Sequence, residues 1–440
     1  MIGRIIVRVV VLVSAVLLLS PHSLRADDGV AELLKTLKDT HAEGTDLWIY
    51  NDIAAAMAEG RKQNKPIFVT FRCVPCKACA SFDAEVAQGS ERVEELAREK
   101  FIPVRQVEMK GVDLSLFQFD HDLNWAAMFI NADGVVYARY GTQSAEGPDA
   151  YNSIEGLVRT MYRVLELHED YPANADSLSG KRAAEKPYKT ALEMPGLVNK
   201  ERFEGPTQRG NCIHCHNIHD AENNDAQDTG TFTQDMLWRY PLPDNAGLVI
   251  DSVSGVRVKQ VVAGSPAEQA GLESGEDVVS MQSQPITSIA DMQWVLDHLP
   301  ASDAQLTVEG SKTGSHTLAL ASGWKKWDVS WRASLHSIRP RLRVWMPPLD
   351  VEKRASLGIP DSQTPLEVRW INRGQPGGRS AYDAGLREGD VVVALAGEAM
   401  HMTPQQLNLH IKLNYRIGDE LPLTVLRDGK EQDVKIKLVE

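Results

Sequence analysis

The second half of the chain repeats one pattern of secondary-structure signals, and this repeat constrains the fold most strongly. In each copy a β-branched strand leads to a turn with glycine and serine, and a short helix ends in Ala-Gly-Leu. A glycine with acidic neighbours then opens a valine-rich strand, and a longer amphipathic helix follows. The matching residues are Ala270-Gly271-Leu272 with Gly275, and Ala384-Gly385-Leu386 with Gly389. The repeat predicts two small domains, at about 246–322 and 346–440.

Both copies resemble PDZ domains of the bacterial periplasmic kind. The resemblance implies that an extended peptide adds as a strand, with its C-terminal carboxylate in a loop of backbone N–H groups. The residues expected to bind it are Gly247, Leu248, Val249 and Ile250 in the first copy, and Leu357, Gly358 and Ile359 in the second. Pro360 removes one ladder donor, which makes the second copy the weaker binder. The alternative is that one or both grooves are filled by the protein's own chain.

A cysteine cluster in the first half stands at the exit of a predicted strand. The apolar run from Ile67 to Phe71 predicts a buried strand, and the residues from Cys73 onward suit a helix. The surrounding order is helix, strand, helix, strand and hairpin. With C-x-x-C at the strand exit, this order resembles the thioredoxin-like fold over about 46–165, within a domain that we place at 27–170.

The thiols of this cluster are the candidate catalytic groups. A cysteine at a helix N-terminus has its thiolate stabilised by backbone N–H groups and the helix dipole, and Arg72 and Lys77 add positive charge. We therefore predict Cys73 as the attacking thiol and Cys76 as its resolving partner. Cys79 lies one helical turn further on the same face as Cys76. The alternatives are a structural disulfide, or a metal held by the three thiolates.

A second cysteine cluster matches the C-x-x-C-H pattern of haem attachment. In that pattern two thiols add to the haem vinyl groups and the following histidine ligates the iron. Cys212 and Cys215 are therefore predicted to carry a covalent haem c, with His216 on the iron. One alternative is zinc on these three residues and His219, although the short spacing would cramp a tetrahedron; the other is a plain disulfide.

The segment that carries this motif, residues 171–245, is polar, dotted with prolines and only weakly periodic. We expect two short helices in it, near 195–203 and 231–240. We therefore describe it as a linker segment with a haem motif rather than as a full cytochrome domain.

The N-terminus and the overall charge indicate where the chain acts. Arg4 and Arg8 precede an apolar run from Val9 to Leu19, and Ala26 closes the segment, so residues 1–26 predict a cleaved signal peptide. The run is too short for a comfortable membrane span, so we expect a soluble, exported or periplasmic mature chain without one. The net charge of -13 argues against nucleic acid or an anionic membrane as partner. The clustering of all five cysteines points to redox or cofactor chemistry rather than a disulfide framework.

Residues 323–345 between the two copies form a linker rich in tryptophan, with Trp324, Trp327, Trp331 and Trp345. We predict that it is a rigid packed seam rather than a ligand-binding aromatic surface. Periplasmic PDZ pairs often belong to serine proteases. We expect this chain not to be one, since it has no G-x-S-x-G elbow and the thioredoxin-like region stands where a catalytic β-barrel pair would be.

Taken together, these features resemble the thioredoxin-like/PDZ proteins of environmental bacteria, a group that includes selenocysteine-containing members. The expected fold class is multidomain α/β and α+β, and the resemblance implies thiol or selenol redox chemistry at residues 73–79. Our first hypothesis is a periplasmic electron-transfer protein that links a thiol–disulfide centre to a c-type haem. Its PDZ domains would recruit a protein partner beside a redox partner. The alternative is a scaffold in which the PDZ domains bind while the disulfide and the haem or zinc are structural.

Overall fold

A computed structural model describes residues 22–74 and 79–440 of the chain. Most of the predicted signal peptide therefore lies outside the described residues, and so does Cys76. The helices are α1 (His22–Leu37), α2 (Ile53–Gln63), α3 (Ala80–Ala84), α4 (Glu91–Lys100), α5 (Ile154–Glu169), α6 (Ala175–Leu178), α7 (His216–Thr229), α8 (Pro266–Gln269), α9 (Ile289–Asp297), α10 (Val351–Ser356), α11 (Pro376–Asp383) and α12 (Pro404–Asn414).

The strands of the first half are β1 (Ile49–Tyr50), β2 (Ile67–Arg72), β3 (Ile102–Gln106), β4 (Trp125–Ile130) and β5 (Val136–Tyr140). Those of the second half are β6 (Leu248–Ile250), β7 (Val258–Val261), β8 (Val278–Met281), β9 (Gln284–Pro285), β10 (Ala304–Gly310), β11 (Gly314–Leu320), β12 (Val344–Trp345), β13 (Leu366–Glu367), β14 (Trp370–Ile371), β15 (Val391–Leu395), β16 (Glu398–Ala399), β17 (Glu420–Arg427) and β18 (Lys430–Lys437).

The first five strands form one sheet in the order β1-β3-β2-β4-β5. Strands β1, β3 and β2 run parallel, whereas β4 and β5 are antiparallel to their neighbours. The central strand β2 is buried along its whole length because side chains on both of its faces meet packed neighbours, and Phe68 stacks on Phe129 with ring centroids 5.0 Å apart. The predicted element order is confirmed, and Cys73 follows the last residue of the central strand.

The segment 171–245 differs from its prediction. The two expected short helices are single 3-10 turns, and the long helix of the segment is α7, which begins directly after Cys215. The sequence gives little sign of α7 because its inward face is partly polar. Asn223 and Asn224 are both buried there, and each donates a hydrogen bond of 3.2 Å to a neighbouring segment. Hydrophobic periodicity cannot reveal a helix whose buried side chains are satisfied by hydrogen bonds.

The two repeated segments share one order of elements, except that α10 and β13 stand between the first two paired strands of the second segment. Each has a strand, a partner strand, a helix, a strand with a short hairpin partner, a longer helix and a closing hairpin. In the first segment the main sheet has the order β11-β10-β8-β9, with β6 paired to β7. In the second segment β13, β15, β17 and β18 form the main sheet, and β12 pairs with β14. No helix in the described part of the chain is long and apolar enough to cross a membrane.

Three of the four tryptophans in residues 323–345 pack as a seam. Trp324 donates from Nε1 to the Pro300 carbonyl oxygen over 2.9 Å. The guanidinium of Arg332 lies 4.6 Å from the ring centroid of Trp331 and 5.7 Å from that of Trp327. Trp345 differs, because it lies on β12 and 61% of its surface is exposed.

Candidate functional site

Three of the five cysteines meet at one small cavity beyond the end of β2. Cys73 reaches it from the strand exit, and Cys212 and Cys215 reach it from the segment before α7. The cavity has a volume of about 10 Å³, roughly that of one water molecule, and His214 also lines it. The two cysteine motifs, which the sequence separates by more than 130 residues, therefore belong to one site.

His214 makes the closest described contact of this site. Its Nδ1 atom lies 2.9 Å from the Sγ atom of Cys73. Burial lowers the pKa of His214 to about 4, and the charge of nearby His216 acts in the same direction. The ring is therefore neutral at pH 7, and its Nδ1 atom can accept a hydrogen bond from the Cys73 thiol. Sequence reasoning gave His214 no role, because it occupies a variable position of the C-x-x-C-H motif.

Hydrogen bonds of Ile213 attach the 212–215 segment to the residues that follow β3. Ile213 donates from its backbone N–H to the Glu108 carboxylate over 3.0 Å, and Met109 donates to the Ile213 carbonyl oxygen over 3.3 Å. Burial, followed by the negative charge of Glu108, raises the pKa of Cys212 to about 12. Cys212 is thus a thiol rather than a thiolate at neutral pH while it stays in this position.

Cys79 lies outside the cavity. It is 3% exposed, packs in the cluster that contains Phe82 and Trp125, and donates from Sγ to the Pro148 carbonyl oxygen over 3.4 Å. Burial and then the neighbouring Asp149 raise its pKa well above the ordinary range of a cysteine. These surroundings suit a packing role, so the predicted catalytic role of Cys79 finds no structural support. Cys76 lies outside the described residues.

A buried carboxylate behind the strand exit was not predicted. Asp83 on α3 accepts two hydrogen bonds of 2.8 Å from Arg105, lies 3.3 Å from Nε of Arg72, and meets Nδ1 of His41 at 2.6 Å. Burial opposes ionisation of Asp83, but the hydrogen bonds and charges of Arg105 and then the charge of Arg72 hold its pKa below the ordinary value. Asp83 therefore stays ionised and fixes Arg72 beside Cys73. No sequence motif marks it.

The described residues around Cys212 and Cys215 do not fit a haem. Both side chains are buried, at 5% and 7% exposure, and the cavity that they share with Cys73 is far smaller than a porphyrin. His216, the predicted iron ligand, stacks on His214 with ring centroids 5.6 Å apart and has Nε2 3.9 Å from the Asp220 carboxylate. Covalent haem stays a prediction. It would require this segment to break its hydrogen bonds with Glu108 and Met109.

The four predicted zinc ligands do not converge either. Among the described residues, the group of three or more ligand-type atoms within 4.8 Å of one another is Asp120, Asp122 and His219. Arg332 neutralises that group by donating to Asp120 over 2.7 Å and to Asp122 over 3.1 Å. Burial and Arg239 oppose protonation of His219, but its hydrogen bonds to Asp120 and Glu222 raise its pKa. The cluster is a compensated ion network that ties three segments together.

The predicted peptide groove of the first repeat is closed. Gly247 holds the expected loop with φ of 91°, and Leu248 and Ile250 are buried in the domain core. Helix α9, which would flank a bound peptide, is buried from Ile289 to Leu296. Its apolar residues pack in the core of the repeat, and its polar residues Asp291 and Gln293 accept hydrogen bonds from the thioredoxin-like domain. The remaining cavity between the two domains is about 10 Å³. The alternative that the chain fills its own groove describes this copy.

Specific side-chain contacts hold α9 in this closed position. Lys181 forms a buried ion pair of 2.7 Å with Asp291 of α9. Arg139 lies over the Trp294 ring at 3.6 Å from the centroid, and its backbone N–H donates to Asp291 over 3.1 Å. Because these partners are buried and hydrogen-bonded, opening the first groove would expose a charged interface.

The second repeat has an open groove, and it lies elsewhere than predicted. Its volume is about 680 Å³, and its walls are β12 with the residues before it and helix α12. Leu357, Gly358 and Ile359 follow α10 and do not line this groove, and their predicted role in peptide binding stays a prediction. Helix α10 was not predicted, although the sequence carries a signal for it: the Asp350 side chain caps the helix by accepting hydrogen bonds from two backbone N–H groups.

One end of the open groove is basic and its rim is aromatic. Arg341, Arg343 and Lys412 line it, and Trp345 and Trp370 pair across β12 and β14. Burial, reinforced by the positive charges of Arg341 and Arg343, lowers the pKa of Lys412 to about 7. An anionic group bound at this end would relieve that repulsion.

Comparison with known families agrees with part of this architecture. Residues 48–132 match a family described as thioredoxin-like, and residues 242–309 match the PDZ domain family. The chain therefore contains a thioredoxin-like domain and a PDZ domain. The second repeat has no such match among these findings, and its assignment rests on the shared order of elements.

The curated relatives are named as periplasmic serine endoproteases. A DegP-like protein of Marinomonas sp. (strain MWYL1) is 25% identical over 215 residues, 48% of this chain and 42% of that protein. A DegP-like protein of Pseudomonas savastanoi pv. phaseolicola is 27% identical over 197 residues, 43% of this chain and 39% of that protein. DegQ of Escherichia coli (strain K12) is 36% identical over 67 residues, 15% of each. The chain spans less than half the length of these relatives.

Among solved structures, the HtrA-type protease AlgW with decapeptide is 16% identical, with a TM-score of 0.20 over 31% of this chain and 50% of that chain. The expectation that the chain is not a serine protease is contradicted by the endoproteases among its relatives. It relied on the absence of one motif and on the position of the thioredoxin-like region, whereas serine-protease triads are recognised by geometry and occur in several sequence orders.

Proposed function

We propose that this chain is an exported thiol–disulfide exchange protein that holds its protein partner in a PDZ-type groove. The observation that carries the proposal is the 2.9 Å contact between Cys73 Sγ and His214 Nδ1 at the exit of the central strand. A thiol beside a neutral imidazole can lose its proton at the moment of attack. Arg72, fixed by Asp83, keeps positive charge next to the forming thiolate.

The exchange balances with the residues of this site. Cys73 gives its proton to His214, and the thiolate attacks one sulfur of a partner disulfide to form a mixed disulfide, releasing the other partner sulfur as a thiolate. Cys76, the resolving partner predicted from C-x-x-C, then attacks Cys73. The products are a Cys73–Cys76 disulfide and a reduced partner, so two electrons leave the chain.

Recruitment is assigned to the second repeat, which we propose is a second PDZ domain. Its order of elements matches that of the first repeat, and its groove is open while the first groove is closed. The basic end formed by Arg341, Arg343 and Lys412 suits a peptide C-terminal carboxylate. Export is supported by the predicted signal peptide and by relatives that are named periplasmic.

The test is reduction of insulin disulfides by the purified mature chain, with dithiothreitol as the electron source. We expect Cys73→Ser to lose the rate above background, and Cys79→Ser, whose thiol lies outside the cavity, to keep it. Equal rates for the chain and for Cys73→Ser would refute the proposal. Both variants need a circular-dichroism melt to confirm that they fold.

A binding-only scaffold is a second candidate, because Cys73, Cys212 and Cys215 are all less than 10% exposed. It predicts peptide binding without insulin reduction. The names of the relatives add proteolysis as a further candidate. Casein cleavage that diisopropyl fluorophosphate abolishes would support that activity.

A further inference from the structure

The 212–215 segment covers Cys73 and limits the access of other molecules to its thiol. Cys73 is 7% exposed, and the wall of its cavity includes both cysteines of the second motif. The cavity beside Cys73 has room for about one water molecule, so a partner disulfide reaches Cys73 directly only when the 212–215 segment moves aside. The thiols that line this cavity beside Cys73 are the chain's own Cys212 and Cys215.

The segment is held on one side and exposed on the other. On its inner side, Ile213 is hydrogen-bonded to Glu108 and Met109, which follow β3. The seven residues from Glu204 to Gly210 that lead into it are exposed except for Thr207, which is half-buried. Cys212 therefore lies between the anchored residue Ile213 and a solvated loop.

We propose that Cys212 and Cys215 are a second redox-active thiol pair, which exchanges disulfides with the Cys73–Cys76 pair and relays electrons to or from a protein disulfide outside. The proposal rests on the thiol–disulfide exchange proposed above and names the internal partner of that site. The proposal assigns to Cys212 and Cys215 a two-electron disulfide instead of the one-electron haem predicted from the sequence. A two-electron centre matches the two-electron chemistry of the Cys73–Cys76 dithiol.

The relay step balances within the chain. Cys73 gives its proton to His214, and its thiolate attacks one sulfur of a Cys212–Cys215 disulfide, breaking that bond and releasing the other sulfur as a thiolate. Cys76 then attacks Cys73 as a thiolate and releases the remaining sulfur, which takes up the proton that Cys76 has lost. One disulfide is formed and one is broken, and His214 returns a proton to the reduced pair. The same steps run in reverse.

The chain offers a direct way to trap the intermediate. Trypsin leaves Cys73 and Cys76 on the peptide 73–77, Cys79 on 78–92, and Cys212 and Cys215 on 210–239. Two double variants of the full chain, Cys76→Ser/Cys215→Ser and Cys76→Ser/Cys212→Ser, each keep one thiol on either side of the cavity. After mild diamide oxidation, mass spectrometry should find 73–77 linked to 210–239 in at least one of them.

The matched control is Cys73→Ser/Cys76→Ser/Cys215→Ser, oxidised in the same way, which has no thiol on 73–77 and should give none of this link. Links from 78–92 to 210–239 should also be minor, since Cys79 packs in another cluster. Absence of the 73–77 link from both double variants overturns the relay. Thioether-bound haem on 210–239 of the unmodified chain also overturns it.

A rate measurement separates this inference from the proposed function. In Cys212→Ser/Cys215→Ser we expect insulin reduction to fall about tenfold, because serine cannot pass on the disulfide. An unchanged rate overturns the relay and leaves the proposed function standing. An inactive unmodified chain refutes the proposed function, and the cross-link then decides the relay by itself. If the double serine variant fails to fold, partial oxidation of the unmodified chain should still distribute disulfide between 73–77 and 210–239.

Discussion

Arg332 donates two hydrogen bonds of 2.7 Å to the carboxylate of Asp120, across 212 residues of sequence. Both side chains are buried, at 1% and 5% exposure. The pair joins the tryptophan-rich segment to the loop that follows β3, and Asp122 accepts a further bond from the same guanidinium over 3.1 Å. One buried cation therefore compensates two buried carboxylates between the domains.

Arg332→Met should lower the free energy of unfolding by about 3 to 5 kcal/mol, because it leaves buried negative charge without its partner. Urea denaturation followed by tryptophan fluorescence measures the change. The matched control is Arg257→Met, which removes the solvent-exposed 2.8 Å pair with Asp277 and should cost about 1 kcal/mol or less. Equal losses in the two variants would contradict the role of Arg332.

His214 should make the fold sensitive to mild acid. Its pKa is about 4 in the folded chain, below the ordinary histidine value of 6.5. Between these two values the unfolded state binds the proton and the folded state does not, so stability falls as the pH drops from 6.5 towards 4. Between pH 7 and pH 5, we expect the free energy of unfolding to fall by about 1 to 2 kcal/mol less in His214→Gln than in the unmodified chain.

Urea midpoints at the two pH values test the acid sensitivity. His401→Gln, which replaces an exposed histidine, serves as the control and should follow the unmodified chain. An identical loss in the unmodified chain and in His214→Gln would show that this ring is not buried in its neutral form.

The open groove of the second repeat should bind peptides through a free C-terminal carboxylate. Fluorescence anisotropy of a labelled decapeptide with an apolar C-terminus should give a dissociation constant about tenfold lower than that of its C-terminal amide, a difference of about 1.4 kcal/mol. Arg343→Ala and Trp345→Ala should weaken binding, since both residues line the groove. Leu357→Ala, outside the groove, is the control, and a larger effect there would restore the loop predicted from the sequence.

Replacing Gly247 by alanine should destabilise the first repeat. A Cβ atom at this position would lie 2.0 Å from Oγ and 2.2 Å from Cβ of Ser265, on a backbone with φ of 91°. Gly264 has φ of 75° and no atom within 4 Å of an added Cβ, so Gly264→Ala carries only the backbone strain. The free energy of unfolding, obtained from thermal melts, should be at least about 1 kcal/mol lower for Gly247→Ala than for Gly264→Ala. Equal melting temperatures would contradict the contact with Ser265.

Local patterns in the sequence predict much of the fold. Hydrophobic alternation and turn residues place β2 between Ile67 and Phe71, and the Ala-Gly-Leu repeats mark two segments with one order of elements. These features depend on neighbours within about ten residues. Helix α7 escapes this reasoning because Asn223 and Asn224 are buried by hydrogen bonds that come from distant segments.

The candidate site, like the fold, could be predicted from the sequence only in part. The sequence by itself determined which residues carry reactive thiols and that Cys73 follows a buried strand, because bonding geometry and side-chain periodicity are local. Only the tertiary structure decided that Cys212 and Cys215 face Cys73, that His214 contacts its thiol, and that the first groove is closed while the second is open. Those relationships depend on how separate elements pack, and the energy of packing is distributed over many contacts that no single motif records.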